Sequence, residues 1–322
     1  MRRREFLGVL GGLAAWPALG HAQGSARFKQ MGVLLFAEQD RTVIAPLLQE
    51  LEALGYVDGK TIKIEYRVAG GDYERLPKLA AELVELNPNV IFSFSGELAP
   101  IVKNASSRIP IVVVVSNDPV ASGLVASLAH PGGNVTGVTY VHDLLAGKVI
   151  EFLHDVSPAL SLVAMMWNPN HADPEFRATE RGAATLGLKL QSLEVRQRAD
   201  FDAAFEAAER QKAEALIVAG GRLVALQRQR IVDFAAKNRM ILAGPAPWIA
   251  DTGGLFSYGP DVAELHRRAA SYVDKILRGA KPADLPMQQP AKFELVINLK
   301  TAQGLDLKLP PTLLALADRT IQ

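Results

Sequence analysis

Two successive series of short apolar runs, each alternating with helix-period segments, constrain this chain more than any other feature. The sharpest run is Ile111-Val112-Val113-Val114-Val115, apolar at every position. A parallel strand covered by helices on both faces suits that pattern; a half-exposed antiparallel strand would alternate instead. Around it, strands are expected at 31–36, 61–66, 90–94, 109–115 and 135–138, separated by amphipathic helices. In the first helix Val43, Leu47, Leu48, Leu51 and Leu54 share a stripe, and Gly55 stands at the C-cap position. The alternation restarts near 144, with strands expected at 162–167, 189–195, 215–218, 240–242 and 254–257. Such a double βαβα series predicts an α/β chain of two doubly wound parallel-sheet lobes. No long Pro- or Ser-rich linker divides them, so the lobes are expected to lie against each other. A further amphipathic helix carries Val262, Leu265, Ala269, Tyr272, Val273 and Ile276, and the tail beyond Leu285 is too short for a third domain. The chain is therefore expected to return and complete both lobes: 30–140 with about 260–285, and 141–259 with about 286–322.

The N-terminus reads as an export signal spanning 1–22. Arg2, Arg3 and Arg4 precede an apolar stretch from Phe6 to about Leu19, and Gly20-His21-Ala22 supplies a small-x-small cleavage pattern. Arg3-Arg4-Glu5-Phe6-Leu7 is similar to the twin-arginine signal, with Arg2 where Ser or Thr is usual. An uncleaved anchor is the competing reading, but the stretch falls short of the ~20 residues of a span. With no cysteine the chain has no lipid-modifiable thiol, disulfide or thiolate ligand. A protein free in the periplasm, cleaved near Ala22, is expected. The 35 basic residues against 34 acidic ones leave no basic excess for nucleic acid.

In open parallel sheets ligands sit beyond the carboxyl ends of the strands. Those positions are Ala37 and Glu38; Ser95-Gly96-Glu97; Ser116-Asn117-Asp118; Asn168; Ala219-Gly220-Gly221-Arg222; Ala243-Gly244-Pro245; and Tyr258. Ser95 and Gly96 are expected to open a helix whose free N–H groups hold a carboxylate. Asp118 suits an amine, and Arg222 a bidentate carboxylate contact. Trp167 and Trp248 offer flat walls for an aromatic or branched ligand, or interlobe packing. Caps and turns explain any single Ser, Asn or Asp equally well. No G-x-S-x-G elbow, phosphate loop or metal-ligand spacing of the scattered histidines is present, so no cofactor, metal or catalytic residue is expected.

Several stretches resemble the ABC-transporter substrate-binding family related to the tryptophan receptor of streptococci, within the type I periplasmic binding-protein fold. They are Leu54-Gly55-Tyr56-Val57-Asp58-Gly59-Lys60, Gly71-Asp72-Tyr73-Glu74-Arg75-Leu76-Pro77, Asp118-Pro119-Val120 with Gly123-Leu124-Val125, and Pro131-Gly132-Gly133-Asn134-Val135-Thr136-Gly137. The run Lys281-Pro282-Ala283-Asp284-Leu285-Pro286 and the stretch from Phe293 to Lys300 complete the likeness, which spans the mature chain. It implies a venus-flytrap receptor with three crossovers, serving a permease and an ATPase, and a small organic solute such as an amino acid or an aromatic acid. Ligand-facing positions carried over are chiefly Ser95, Gly96, Ser116, Asp118, Asn168, Gly220 and Tyr258. Many relatives have Thr-Gly-Thr where Ser95-Gly96-Glu97 stands; the added carboxylate would favour a cationic ligand group or point to solvent. A monomer is expected. A LacI-type regulator would need a DNA-binding motif where the export signal lies; a receptor feeding a membrane signalling protein and a hydrolase on the same fold remain as alternatives.

Overall fold

The computed structural model describes residues 28–140, 142–170 and 175–322; the expected export segment and its arginine pair lie outside these residues. The first sheet contains β1 (Lys29–Leu35), β2 (Ile62–Val68), β3 (Val90–Phe94), β4 (Ile111–Val115) and β5 (Val135–Thr139). All pair in parallel, in the order β2-β1-β3-β4-β5. Within β4 the side chains of Val112 and Val114 enter one core cluster while Ile111, Val113 and Val115 enter another on the opposite face. That two-sided burial is what an unbroken apolar run requires.

The second sheet repeats the pattern with β6 (Leu162–Trp167), β7 (Lys189–Glu194), β8 (Ala215–Val218), β9 (Ile241–Gly244) and β10 (Phe256–Pro260), ordered β7-β6-β8-β9-β10. Two strands then extend it: β11 (Phe293–Asn298) antiparallel to β10, and β12 (Arg319–Ile321) parallel to β11. The second lobe keeps the expected parallel sheet and adds to it one antiparallel pairing, β10 with β11, that the hydropathy pattern did not signal. Between β10 and β11 the chain passes through the first lobe, so no helix covering the second sheet links the two strands as a parallel crossover would.

Helix Val262–Leu277 follows β10 of the second lobe yet packs on the first, burying Leu265, Ala269, Tyr272, Val273 and Ile276. Its N-cap, Asp261, accepts from the Glu264 N–H, which fixes the helix start at the crossing. The chain stays on the first lobe through Met287 and Gln288: the Met287 N–H donates to Leu128, and Gln288 exchanges bonds with Gly137 and Thr139. The expected change of lobe near 286 thus falls slightly later, between Gln288 and β11. With the connection after β5 and the one at Pro260–Asp261, the chain crosses between lobes three times. The helix expected over 43–54 is in two pieces, Asp40–Val43 and Ala45–Ala53, with a proline in the first turn of the second.

Gly137 in β5 shows how closely the first sheet packs. Its φ is +142°, and a Cβ there would lie 2.0 Å from the Val113 carbonyl oxygen. Gly137→Ala is expected to lower unfolding free energy by about 3 kcal/mol, read from the denaturant midpoint.

Candidate functional site

The strand ends of the two lobes face each other around a cavity of about 230 Å³. Phe94, Ser95, Ser116 and Tyr140 line it from the first sheet, with Val43 and Val262 beside them. The second lobe contributes Ala219-Gly220-Gly221-Arg222 after β8 and Pro245-Ala246-Pro247-Trp248 after β9. The volume lies below the ~300–1,000 Å³ of drug-sized pockets, so the space suits one small molecule. Most of the walls are apolar; Arg222 is the charged residue among them.

Arg222 ties the lobes together. Its guanidinium Nη2 donates to Asp40, a fully buried carboxylate that follows β1. The other Asp40 oxygen accepts from the Phe36 and Ala37 N–H groups at 2.9 and 3.1 Å, so the ion pair is seated on fixed backbone. The guanidinium carbon also lies 4.9 Å from the Phe94 ring centroid, a cation–π contact. Its Nε is buried and finds no acceptor among the described residues. Behind it the Gly220 N–H donates to the buried carboxylate of Glu175 at 3.0 Å, which holds the β8 end in place.

Glu97 is buried at the same junction but is not part of the cavity wall. Its Oε1 accepts from the Tyr73 hydroxyl at 2.7 Å and from Asn168 Nδ2 at 3.3 Å. Its Oε2 accepts from Ser95 Oγ at 2.9 Å and from the Arg222 backbone N–H at 3.2 Å. Burial, and after it the Glu97 charge, push the Tyr73 phenol up, so the hydroxyl stays a donor. The helix expected to open at Ser95-Gly96 begins instead at Ala99, with a proline in its first turn, and Ser95 has φ +90°. No helix N-terminus stands at Ser95 to hold a carboxylate; its hydroxyl and the Glu97 side chain occupy that ground.

Of the residues expected at the site, the structure brings Ser95, Ser116, Gly220, Arg222 and Trp248 to the cavity. Gly96 is buried beside them, and Asn168 reaches the junction through Glu97. Others stand elsewhere. Ala37 lines a separate outer groove. Asp118 shapes a turn, its carboxylate accepting from the Val120 and Ala121 N–H groups. Asn117 is wholly buried, and its carbonyl accepts from the Thr139 hydroxyl. Trp167 stacks on Phe176 at 4.6 Å and donates to Ser192 Oγ. Tyr258 packs edge-on against Phe152 at 5.3 Å. Sequence reasoning missed Asp40, Tyr73 and Tyr140; a single buried acid just after a strand, as at Asp40, was the available signal and reads equally as a cap.

Two α/β lobes joined by three crossings, with a small cavity between facing strand ends, define a two-lobed binding protein for small molecules. The chain belongs to the family described as ABC transporter substrate binding protein, which it matches over residues 32–321. It is 25% identical over 276 residues to a tyrosine-binding protein of Clostridioides difficile, covering 81% of this chain and 75% of the relative. Among solved structures it superposes on a conserved domain protein of Vibrio cholerae with a TM-score of 0.85, at 27% identity, over 91% of this chain and 100% of that one. An ABC domain of Streptococcus pneumoniae in complex with L-Trp gives 0.84 at 23% identity, again over 91% and 100%. A ligand-free, open substrate-binding protein of C. difficile gives 0.64 at 23% identity, over 91% and 99%.

His266, fully buried in the first turns of its helix, lies 5.4 Å from the Phe94 ring and 6.1 Å from Phe92. Its Nδ1 sits 2.8 Å from the Val262 carbonyl oxygen. Burial holds its pKa down to about 4; the Val262 bond opposes that shift and the Arg222 charge adds to it. The unfolded chain therefore binds this proton more readily than the folded one, and stability falls as pH drops from about 6.5 to about 4. The loss is expected to be about 3 kcal/mol, and a His266→Leu variant should lack this component when urea midpoints are compared across that window. Asp118→Ala, by contrast, should cost about 1 kcal/mol of stability through its turn and leave solute affinity unchanged in titration calorimetry.

Proposed function

We propose that this chain is the solute receptor of an ABC importer, exported to the periplasm, free there as a monomer and working with a permease and an ATPase. It closes on one small organic solute, an amino acid or an aromatic or branched carboxylate, and does no chemistry on it. The observation that carries this reading is the Arg222 Nε–H, a buried donor without an acceptor among the described residues, in the wall of an otherwise apolar interlobe cavity. A solute acid or carbonyl oxygen would satisfy it, while Phe94, Tyr140, Val224 and Trp248 would cover an apolar body. A tyrosine-binding relative and a structural neighbour in complex with L-Trp support a solute of this size.

A thermal-shift screen of amino acids and aromatic and branched acids tests it. A binder at a hundredfold excess over its Kd adds about 2.7 kcal/mol to stability and raises Tm. Arg222→Gln should weaken that binding by about 10- to 100-fold, the loss of a charge-assisted hydrogen bond. A broad library without any shift would remove the receptor reading.

A further inference from the structure

Each oxygen of the Glu97 carboxylate accepts one hydrogen bond from each lobe. Oε1 takes Tyr73 from the first lobe and Asn168 from the second; Oε2 takes Ser95 from the first and the Arg222 N–H from the second. Two carboxylate oxygens offer about four lone-pair sites, and these four donors fill them. No lysine or arginine side chain forms an ion pair with it among the described residues. Its charge is met by hydroxyl, amide and backbone N–H dipoles converging from four separate segments, as for the bound acid of a small molecule rather than for a surface salt bridge. Ser95 supports the arrangement from a left-handed backbone (φ +90°), a strained conformation for a non-glycine residue that persists only where the surroundings fix it. That conformation lets Ser95 Oγ accept the Glu97 N–H at 3.2 Å while donating to Oε2.

We propose that Glu97 is a tethered counterpart of a solute acid group: its own carboxylate fills the acid-binding nest between the lobes and draws them together. It thereby withholds that nest from any solute, whose acid or carbonyl oxygen is left the Arg222 Nε–H. The inference refines the receptor reading given above, but its test uses no transported solute, so either can fail without the other.

The test compares wild type, Glu97→Ala and Glu97→Gln by small-angle X-ray scattering and thermal melting. Sodium chloride is replaced by sodium acetate, up to on the order of 100 mM at constant ionic strength, a range suited to millimolar affinity. In chloride, Glu97→Ala should show a larger radius of gyration and a Tm lower by about 5 °C. Acetate should reverse both changes in that variant and leave wild type unaffected. Glu97→Gln, equal in size but unable to accept from all four donors, should open and resist rescue because its side chain fills the nest. An unchanged radius of gyration in Glu97→Ala, or an open variant indifferent to acetate, would overturn the proposal. Should Glu97→Ala fail to fold by circular dichroism, a wild-type radius in Glu97→Gln would overturn it equally.

Discussion

Three ionisable side chains where the lobes meet govern this structure: the buried Asp40 and Glu97 on the first lobe and the partly buried Arg222 on the second. A buried charge without a partner costs several kcal/mol. Asp40 and Glu97 each have donors on their own lobe, but neither is completed there. Asp40 gains Arg222, and Glu97 gains Asn168 and the Arg222 N–H, only when the lobes touch. On opening, water replaces those partners, so the protein exchanges one set of hydrogen bonds for another. Such an exchange keeps the net cost of opening far below the gross strength of the contacts, which is the balance a clamp requires.

Sheet order explains why these residues meet. In each lobe the connection reverses direction between two neighbouring strands, β1 and β3 in the first and β6 and β8 in the second. Asp40 follows β1, Ser95 and Glu97 follow β3, Asn168 follows β6, and Gly220 and Arg222 follow β8. The crevice at such a reversal is where the ends of adjacent loops splay apart and backbone N–H groups are accessible. Setting two of these crevices face to face brings four loops to one place without any of them being near another in sequence. The apolar run in β4 and the Val262–Leu277 helix do the supporting work, giving the first crevice a rigid base.

Most strands and the two-lobed plan were legible because burial on both faces leaves a local signature, as in Ile111–Val115. The antiparallel β11 was not, since its direction depends on a return from the other lobe. The cavity was legible in part: Ser95, Ser116, Gly220, Arg222 and Trp248 were found because strand ends can be read from hydropathy. What each side chain does there could not be read. Glu97 meets Asn168 across 71 residues and Arg222 across 125, and Asp40 meets Arg222 across 182. Trp167 ends β6 and Tyr258, expected just beyond a strand, lies in the middle of β10, and they pack against Phe176 and Phe152 on their own lobe. Position along a strand predicts proximity to the crevice; which face a residue takes there depends on partners in distant sequence.

In the proposed receptor, Arg222 is the residue through which a solute would act on the contact between the lobes. One residue supplies a backbone N–H to Glu97, a guanidinium N–H to Asp40, and an Nε–H with no acceptor among the described residues, in a side chain that lines the cavity. Its guanidinium also rests over the Phe94 ring, which restricts its plane. An acceptor arriving at Nε adds to a network already polarised by Asp40, and hydrogen bonds in such chains strengthen one another in a low dielectric. The reverse holds as well: separating the lobes removes Asp40 and Glu97 from Arg222 together and frees the guanidinium to move. On the proposed function, solute binding and lobe contact would bias the same side chain, and the coupling between them would be reciprocal.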